Sequence, residues 1–321
     1  MMAMAMCDPS ISSCSRVCSV NDVRLTVISY NLHGLNQGTA GVTEVMNKLG
    51  PEVIMVQEHW LSTDNLSKLS EISDDYFVFG SSALDECLST GPLYGRPFGG
   101  VAISIKKIFA DVTCCLVCSE RYIAVLIADW LFINVYMPCS GTSNRLFLYA
   151  DILQEIQLII DEHPNYNSLL GGDFNVNLDT ANPVSSLVNG FMCQNNLKRG
   201  DVLFPSSNKC TYVNESLNVS SCIDYMLTLS GSEVVAFNIL DLDINLSDHL
   251  PIMAVCLSHL QTKIIVNDRP QSMDNVKYLR WDHAPLHLYY EQTRLLLEPV
   301  LEEISVFEAT LGNGTNPTAK M

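Results

Sequence analysis

Basic side chains are scarce in this chain of 321 residues: Lys and Arg number 18 against 35 Asp and Glu, a formal charge of −17. A molecule with that balance carries no broad cationic stripe, the usual mark of proteins that track nucleic-acid phosphates. A nucleic-acid partner would have to be held by something other than bulk charge. Metal bound at a carboxylate-rich site would offset only part of the acidity. No uninterrupted apolar run reads as a membrane span. The best candidate, residues 122–139, is broken by Asp129 and Asn134 and reads as two strands around a turn. The first twenty residues lack a basic segment ahead of an apolar one, so no secretion signal is expected. No Cys-x-x-Cys pair has a matching second pair, which argues against a structural zinc site. Cys114, Cys115, Cys118, Cys139 and Cys256 lie in or beside apolar runs, where free cysteine behaves as a small hydrophobe. A reducing intracellular compartment is the expectation. No internal repeat is present.

What the chain does have is apolar content: 48% of residues are hydrophobic, enough for a sizeable core. Strands are expected at residues 23–30, 53–56, 101–105, 122–128, 131–136, 168–170, 223–229, 234–239 and 252–257. A short helix is expected at 43–49, ending at Gly50-Pro51. The clearest helix runs over 144–162, where Leu146, Tyr149, Ile152, Leu153, Ile156 and Ile159 recur at three- and four-residue steps. Residues 81–98, rich in Gly, Pro and Ser, read as a loop. Many strands with few helices between them predict an α/β fold of two packed sheets with helices outside, a four-layer α/β/β/α sandwich. The domain division read here is a disordered leader over 1–22, a core domain over 23–258, and a linker with a helical extension over 259–321. In the extension, residues 286–307 read as an amphipathic helix kinked at Pro299.

Five short motifs follow apolar β-type runs: Ser29-Tyr30-Asn31, Gln57-Glu58, Asn134-Val135-Tyr136-Met137-Pro138, Gly171-Gly172-Asp173-Phe174-Asn175 and Ser247-Asp248-His249. Each lets a strand carry a polar group to the rim of a sheet. Asp173 and Asn175 stand two apart and so can share a face. There a carboxylate and an amide can hold an attacking water beside a phosphate, or simply cap a strand end. Glu58, at the end of a buried run, is either solvated or a ligand for a hard divalent cation; Mg²⁺ favours one or two carboxylates together with waters and phosphate. Asn31 has the same placement, although Asn-Leu-His-Gly is also good turn chemistry. His249 is either a loop histidine or a group that delivers a proton and stabilises phosphorane charge. Asp224 opens an apolar strand, where an unpaired carboxylate is costly, and His249 is its natural partner.

These motifs, in this order, resemble those of the endonuclease/exonuclease/phosphatase superfamily over about residues 23–258. Ser29 to Leu35, Gln57 to Leu61, Gly99 to Ile103 and Ile223 to Leu227 look most like the endonuclease domain of non-LTR retrotransposon polyproteins. The resemblance implies a DNase I-like fold and a Mg²⁺-dependent endonuclease, with Mn²⁺ as the alternative ion. It implies that Asn31, Glu58 and Asp248 form the metal site, that Tyr136 touches the scissile phosphate, and that Asp173 and Asn175 orient and activate water. His249 would then be the general acid, held by Asp224, and Thr211 a looser match to a phosphate-contacting hydroxyl. The implied substrate is DNA, the implied partner a reverse-transcriptase region of a longer polyprotein, and the implied compartment the nucleus. His33 stands where apurinic endonucleases carry an acidic residue, and Cys222 where relatives often carry Arg. Two other readings share the fold: a phosphomonoesterase acting on a soluble or lipid phosphate, which the acidity favours, and a non-catalytic module.

Overall fold

A computed structural model describes residues 21–260, apart from Pro92, Tyr94, Ser206, Ser207, Lys209, Glu215, Leu217 and residues 230–232. The helical extension and most of the leader expected from the sequence lie outside the described residues.

Two six-stranded sheets make up the centre. The first contains β1 (Asn21–Asn31), β2 (Val53–Gln57), β3 (Tyr76–Ser81), β4 (Val101–Lys106), β13 (Val234–Ile239) and β14 (Ile252–Leu260), in the spatial order β13-β14-β1-β2-β4-β3. The second contains β5 (Thr113–Cys118), β6 (Tyr122–Ile127), β7 (Trp130–Tyr136), β8 (Asn167–Asp173), β9 (Leu197–Arg199) and β12 (Asp224–Leu229), in the order β5-β6-β7-β8-β12-β9. A small hairpin, β10 (Tyr212–Asn214) with β11 (Val219–Ser221), stands apart. Helix α1 (Leu35–Leu49) and the short α2 (Ser67–Ser70) belong to the first sheet. Helices α4 (Arg145–Glu162) and α5 (Pro183–Gln194) belong to the second. Short helices α3 (Asp85–Thr90) and α6 (Gly200–Leu203) sit in connections. No helix among the described residues is long and apolar enough to cross a membrane.

Strand periodicity explains the four layers. Along β1, Leu25 and Val27 join the cluster between the sheets, while Ile28 and Tyr30 pack with Val42 and Val45 of α1. Along β7, Trp130 and Phe132 face the first sheet, and Leu131, Ile133 and Val135 meet Tyr149, Ile152, Ile156 and Val188 on α4 and α5. Three apolar clusters thus fill the three gaps of a helix–sheet–sheet–helix stack, and each buried side chain contributes about 1.5–3 kcal/mol. The expected sandwich is the observed one.

Several boundaries differ from expectation. The first helix begins at Leu35, eight residues earlier than expected, and β1 begins at Asn21. Strands β3 and β5 and helix α5 were not expected, and the 81–98 loop contains α3. Leu146 sits on the solvent side of α4, and Asn144 precedes the helix.

Gly172 shows how tightly β7 and β8 are fitted. It holds φ +145°, and a Cβ there would lie 2.0 Å from the carbonyl oxygen of Val135. Only glycine tolerates both the backbone angle and the approach.

Candidate active site

The period-two pattern that builds the core also builds the site. Continuing the inter-sheet face of β1 past Leu25 and Val27 gives Ser29 and Asn31; continuing β7 gives Asn134 and Tyr136. Register then sets these ends side by side: Asn31 pairs with Gln57 in parallel β1 and β2, and Tyr136 with Asp173 in parallel β7 and β8. Asp224 pairs with Asp173 across antiparallel β12 and β8. One rim of the inter-sheet space therefore collects side chains from residues 31 to 249. A buried amide network locks the sheets beneath it: Asn134 Nδ2 donates to the carbonyls of Val56 and Ala102, and Gln57 Nε2 donates to Ser29 Oγ and Asn134 Oδ1.

Asn31 Nδ2 donates to Asp173 Oδ2 at 2.9 Å and to Glu58 Oε1 at 3.2 Å, bridging two carboxylates. Its amide oxygen accepts from the backbone N–H of His33 at 3.0 Å. Asn31 therefore turns its amide donors to both carboxylates and helps to fix the position of Glu58. Glu58 Oε1 also accepts from the Tyr136 hydroxyl at 2.9 Å, and Oε2 from Trp60 Nε1 at 3.0 Å. Burial first, and then the charges of Glu58 and Asp173, push the Tyr136 phenol far above its ordinary range, so it remains a proton donor.

Asp173 is fully buried. Its Oδ1 accepts from the backbone N–H of Asn175 at 2.7 Å, and its Oδ2 from Asn175 Nδ2 at 3.0 Å. Burial, together with the nearby Asp224 charge, raises its pKa to about 8. Asn175 also donates to the Met137 carbonyl at 2.9 Å. His249 Nδ1 lies 2.9 Å from Asp224 Oδ2, and ligand atoms of Asp173, Asp224 and His249 all fall within 4.8 Å of one another. Burial works against a charged imidazole here, but the Asp224 carboxylate outweighs it and lifts the His249 pKa to about 10. A cation among these three would have to break the His249–Asp224 pair, so the trio suits proton handling better than metal binding. With Nδ1 committed, Nε2 is the ring nitrogen left for substrate.

Asp248 Oδ1 is 2.5 Å from His33 Nδ1 and 3.9 Å from His249 Nε2. Burial opposes the charge on Asp248, yet these histidines hold its pKa below the ordinary carboxylate value. Ser247 ties the motif down: its hydroxyl donates to the Asn31 carbonyl at 2.8 Å and accepts from the His249 backbone N–H at 3.1 Å. Thr211, expected to contact phosphate, lies beneath the rim. It is fully buried, and its hydroxyl oxygen accepts from the backbone N–H groups of Ile223 and Asp224, both at 3.1 Å. It fixes the loop that presents Asp224.

Neither Lys nor Arg forms an ion pair with Glu58, Asp173, Asp224 or Asp248 among the described residues. Four carboxylates whose only ion-pair partners among the described residues are histidines, with Glu58 accepting three hydrogen bonds of the roughly four a carboxylate can take, suit a hard divalent cation at Glu58. His33, Glu58, Trp60 and Asn175 all hold left-handed φ between 51° and 59°. Non-glycine residues cluster in that region where a site imposes its geometry.

The sequence from residue 28 to 249 matches the model of the Endonuclease/Exonuclease/phosphatase family. The chain belongs to that family. It is therefore a hydrolase of phosphate esters, and enzymes of the family typically use divalent metals. Its fold is similar to that of the 3' phosphatase NExo from Neisseria bound to product DNA hairpin, with TM-score 0.56 and 16% identity over 72% of this chain and 98% of that one. The AP endonuclease LMAP from Leishmania major matches with TM-score 0.57 and 16% identity over 73% and 87%. An AP endonuclease from Archaeoglobus fulgidus gives 0.55 and 16% over 72% and 99%. No curated protein matches the chain.

Trp60, the indole donor to Glu58, was not singled out as a site residue from the sequence. Its signal was its place two residues after Glu58.

Proposed function

We propose that this family member is a divalent-metal-dependent phosphodiesterase that nicks DNA, an endonuclease of the retrotransposon type. The carrying observation is that an imidazole held protonated by a buried carboxylate and a cluster of carboxylates without lysine or arginine share one rim. Glu58 and Asp248 are the carboxylates assigned to the cation, Asn31 helps to hold it, and Mg²⁺ is the preferred ion over Mn²⁺. When bound, the cation polarises the phosphoryl oxygen and offsets charge on the leaving oxygen. Asp173, once ionised, takes the proton from an attacking water that the Asn175 amide helps to place. His249 Nε2 gives its proton to the departing oxygen, and Asp224 stabilises the imidazolium beforehand. Tyr136 donates to Glu58 and closes the inner wall beside the phosphate.

The retrotransposon assignment rests on the strings around Asn31, Glu58, Gly99 and Asp224, and it carries the reverse-transcriptase partner and nuclear location with it. The alternative is a phosphomonoesterase of the same family, favoured by the charge of −17. Supercoiled plasmid relaxed in Mg²⁺ and protected by EDTA supports the endonuclease. Phosphate release from monoesters without nicking replaces it with the phosphatase.

A further inference from the structure

Glu58 is gripped through two aromatic side chains, and each of them carries an arginine. The guanidinium of Arg96 lies 4.3 Å from the ring centroid of Trp60, the donor to Glu58 Oε2. That of Arg121 lies 5.4 Å from the ring centroid of Tyr136, the donor to Glu58 Oε1. Both platforms are fixed. Tyr136 is buried, and Trp60 lies flush on Gly34, where a Cβ would come within 2.5 Å of the indole. Neither guanidinium is used up by the fold. Arg96 is exposed and pairs with no carboxylate among the described residues. Among the described residues Arg121 pairs only with its exposed sequence neighbour Glu120, at 3.5 Å. By contrast Lys48, Lys106 and Arg199 all sit in ion pairs of 2.6–2.8 Å. A cation–π contact neutralises no charge, so each guanidinium keeps its positive charge and the N–H donors that can grip phosphate with two parallel hydrogen bonds.

We propose that Arg96 and Arg121 form a two-point phosphate clamp that binds backbone phosphates flanking the scissile one on a nucleic-acid strand. The inference rests on the phosphodiesterase reading, because a monoester offers no flanking phosphates. It also accounts for a chain so acidic acting on a polyanion: two positioned arginines at the mouth supply the contact that bulk charge cannot.

The test is binding of a fluorescein-labelled DNA duplex to the full chain in a His249→Ala background with Mg²⁺, across a range of salt. Arg96→Gln and Arg121→Gln should each weaken binding about tenfold, the usual scale for losing a charge-assisted contact. Each should also flatten the slope of log affinity against log salt by about 0.9. Arg96→Lys and Arg121→Lys should keep the slope while losing part of the affinity. If a Gln variant fails to fold, neutral methylphosphonates beside the cut site ask the same question from the ligand side; they should weaken binding to the arginine-bearing protein and flatten its slope. Gln variants with unaltered affinity and slope, or methylphosphonates without effect, overturn the clamp and leave the endonuclease reading standing. A protein with both arginines that neither binds nor cuts DNA but dephosphorylates monoesters overturns both.

Discussion

At His249, burial alone would strip the proton from the imidazole, and the Asp224 carboxylate reverses that outcome. The pairing yields a kinetic prediction. His249→Ala and Asp224→Asn should each lower turnover by about 10²- to 10⁴-fold, the first more than the second. The double variant should lose little beyond His249→Ala, because an aspartate with no ring to orient contributes nothing. Asp224→Asn should also move the alkaline limb of the pH–rate profile downward, since the charge that raises the imidazole pKa is gone. Additive losses and an unmoved limb would show that Asp224 only closes its strand. Residues like Asp173 and His249 were legible in the sequence because each follows or precedes an apolar run that must be a strand. Arg96 was not, since a Gly- and Pro-rich loop has no periodicity to say where its side chains point. Thr211 shows a subtler limit: the sequence does not reveal that its hydroxyl accepts from the backbone N–H groups of Ile223 and Asp224.

The elements that sequence reasoning found are those whose pattern has one dominant period. Strands β2 and β7 are largely apolar runs, β1 is rich in β-branched and apolar residues, and α4 repeats its apolar residues every three or four positions. Helix α5 escaped because Ser, Asn, Gly and Val dilute its helical preference. Its start is set instead by Asn182, whose side chain accepts from the Ser185 N–H while Ser185 caps in return. Strand β5 escaped because its residues are only half buried at a sheet edge. Register, which no single strand reveals, is what brings Tyr136, Asp173 and Asp224 together, and Gly172 is its most sensitive point. Gly172→Ala drives a methyl into the Val135 carbonyl and should cost about 3 kcal/mol or more. Urea denaturation checks this; a variant as stable as the parent would mean that β7 and β8 are less closely fitted than described.

For the molecule as a whole, the two-sheet architecture was readable from the number of strands, whereas strand order and the position of the rim were not. The site also leaves a mark on global stability. Asp173 binds its proton more tightly in the fold than in the unfolded chain, so its effect on stability worsens as pH rises from about 4 towards 8. The contribution of His249 is complete below about pH 6.5 and is lost as pH climbs through about 10. Both shifts have the same sign. Without metal, Tm should fall between about pH 6 and 9, and Mg²⁺ should flatten that decline by favouring the ionised carboxylates. A metal-free Tm that rises through this window would contradict the charge assignment. The central claim is that the rim hydrolyses a phosphodiester with a divalent ion at Glu58 and a proton from His249. Its most direct test is nicking of supercoiled plasmid by the full chain with Mg²⁺, with EDTA, and with His249→Ala in Mg²⁺. The account predicts open circles in the first case and intact supercoils in the other two; nicking that persists in EDTA or in His249→Ala would contradict it.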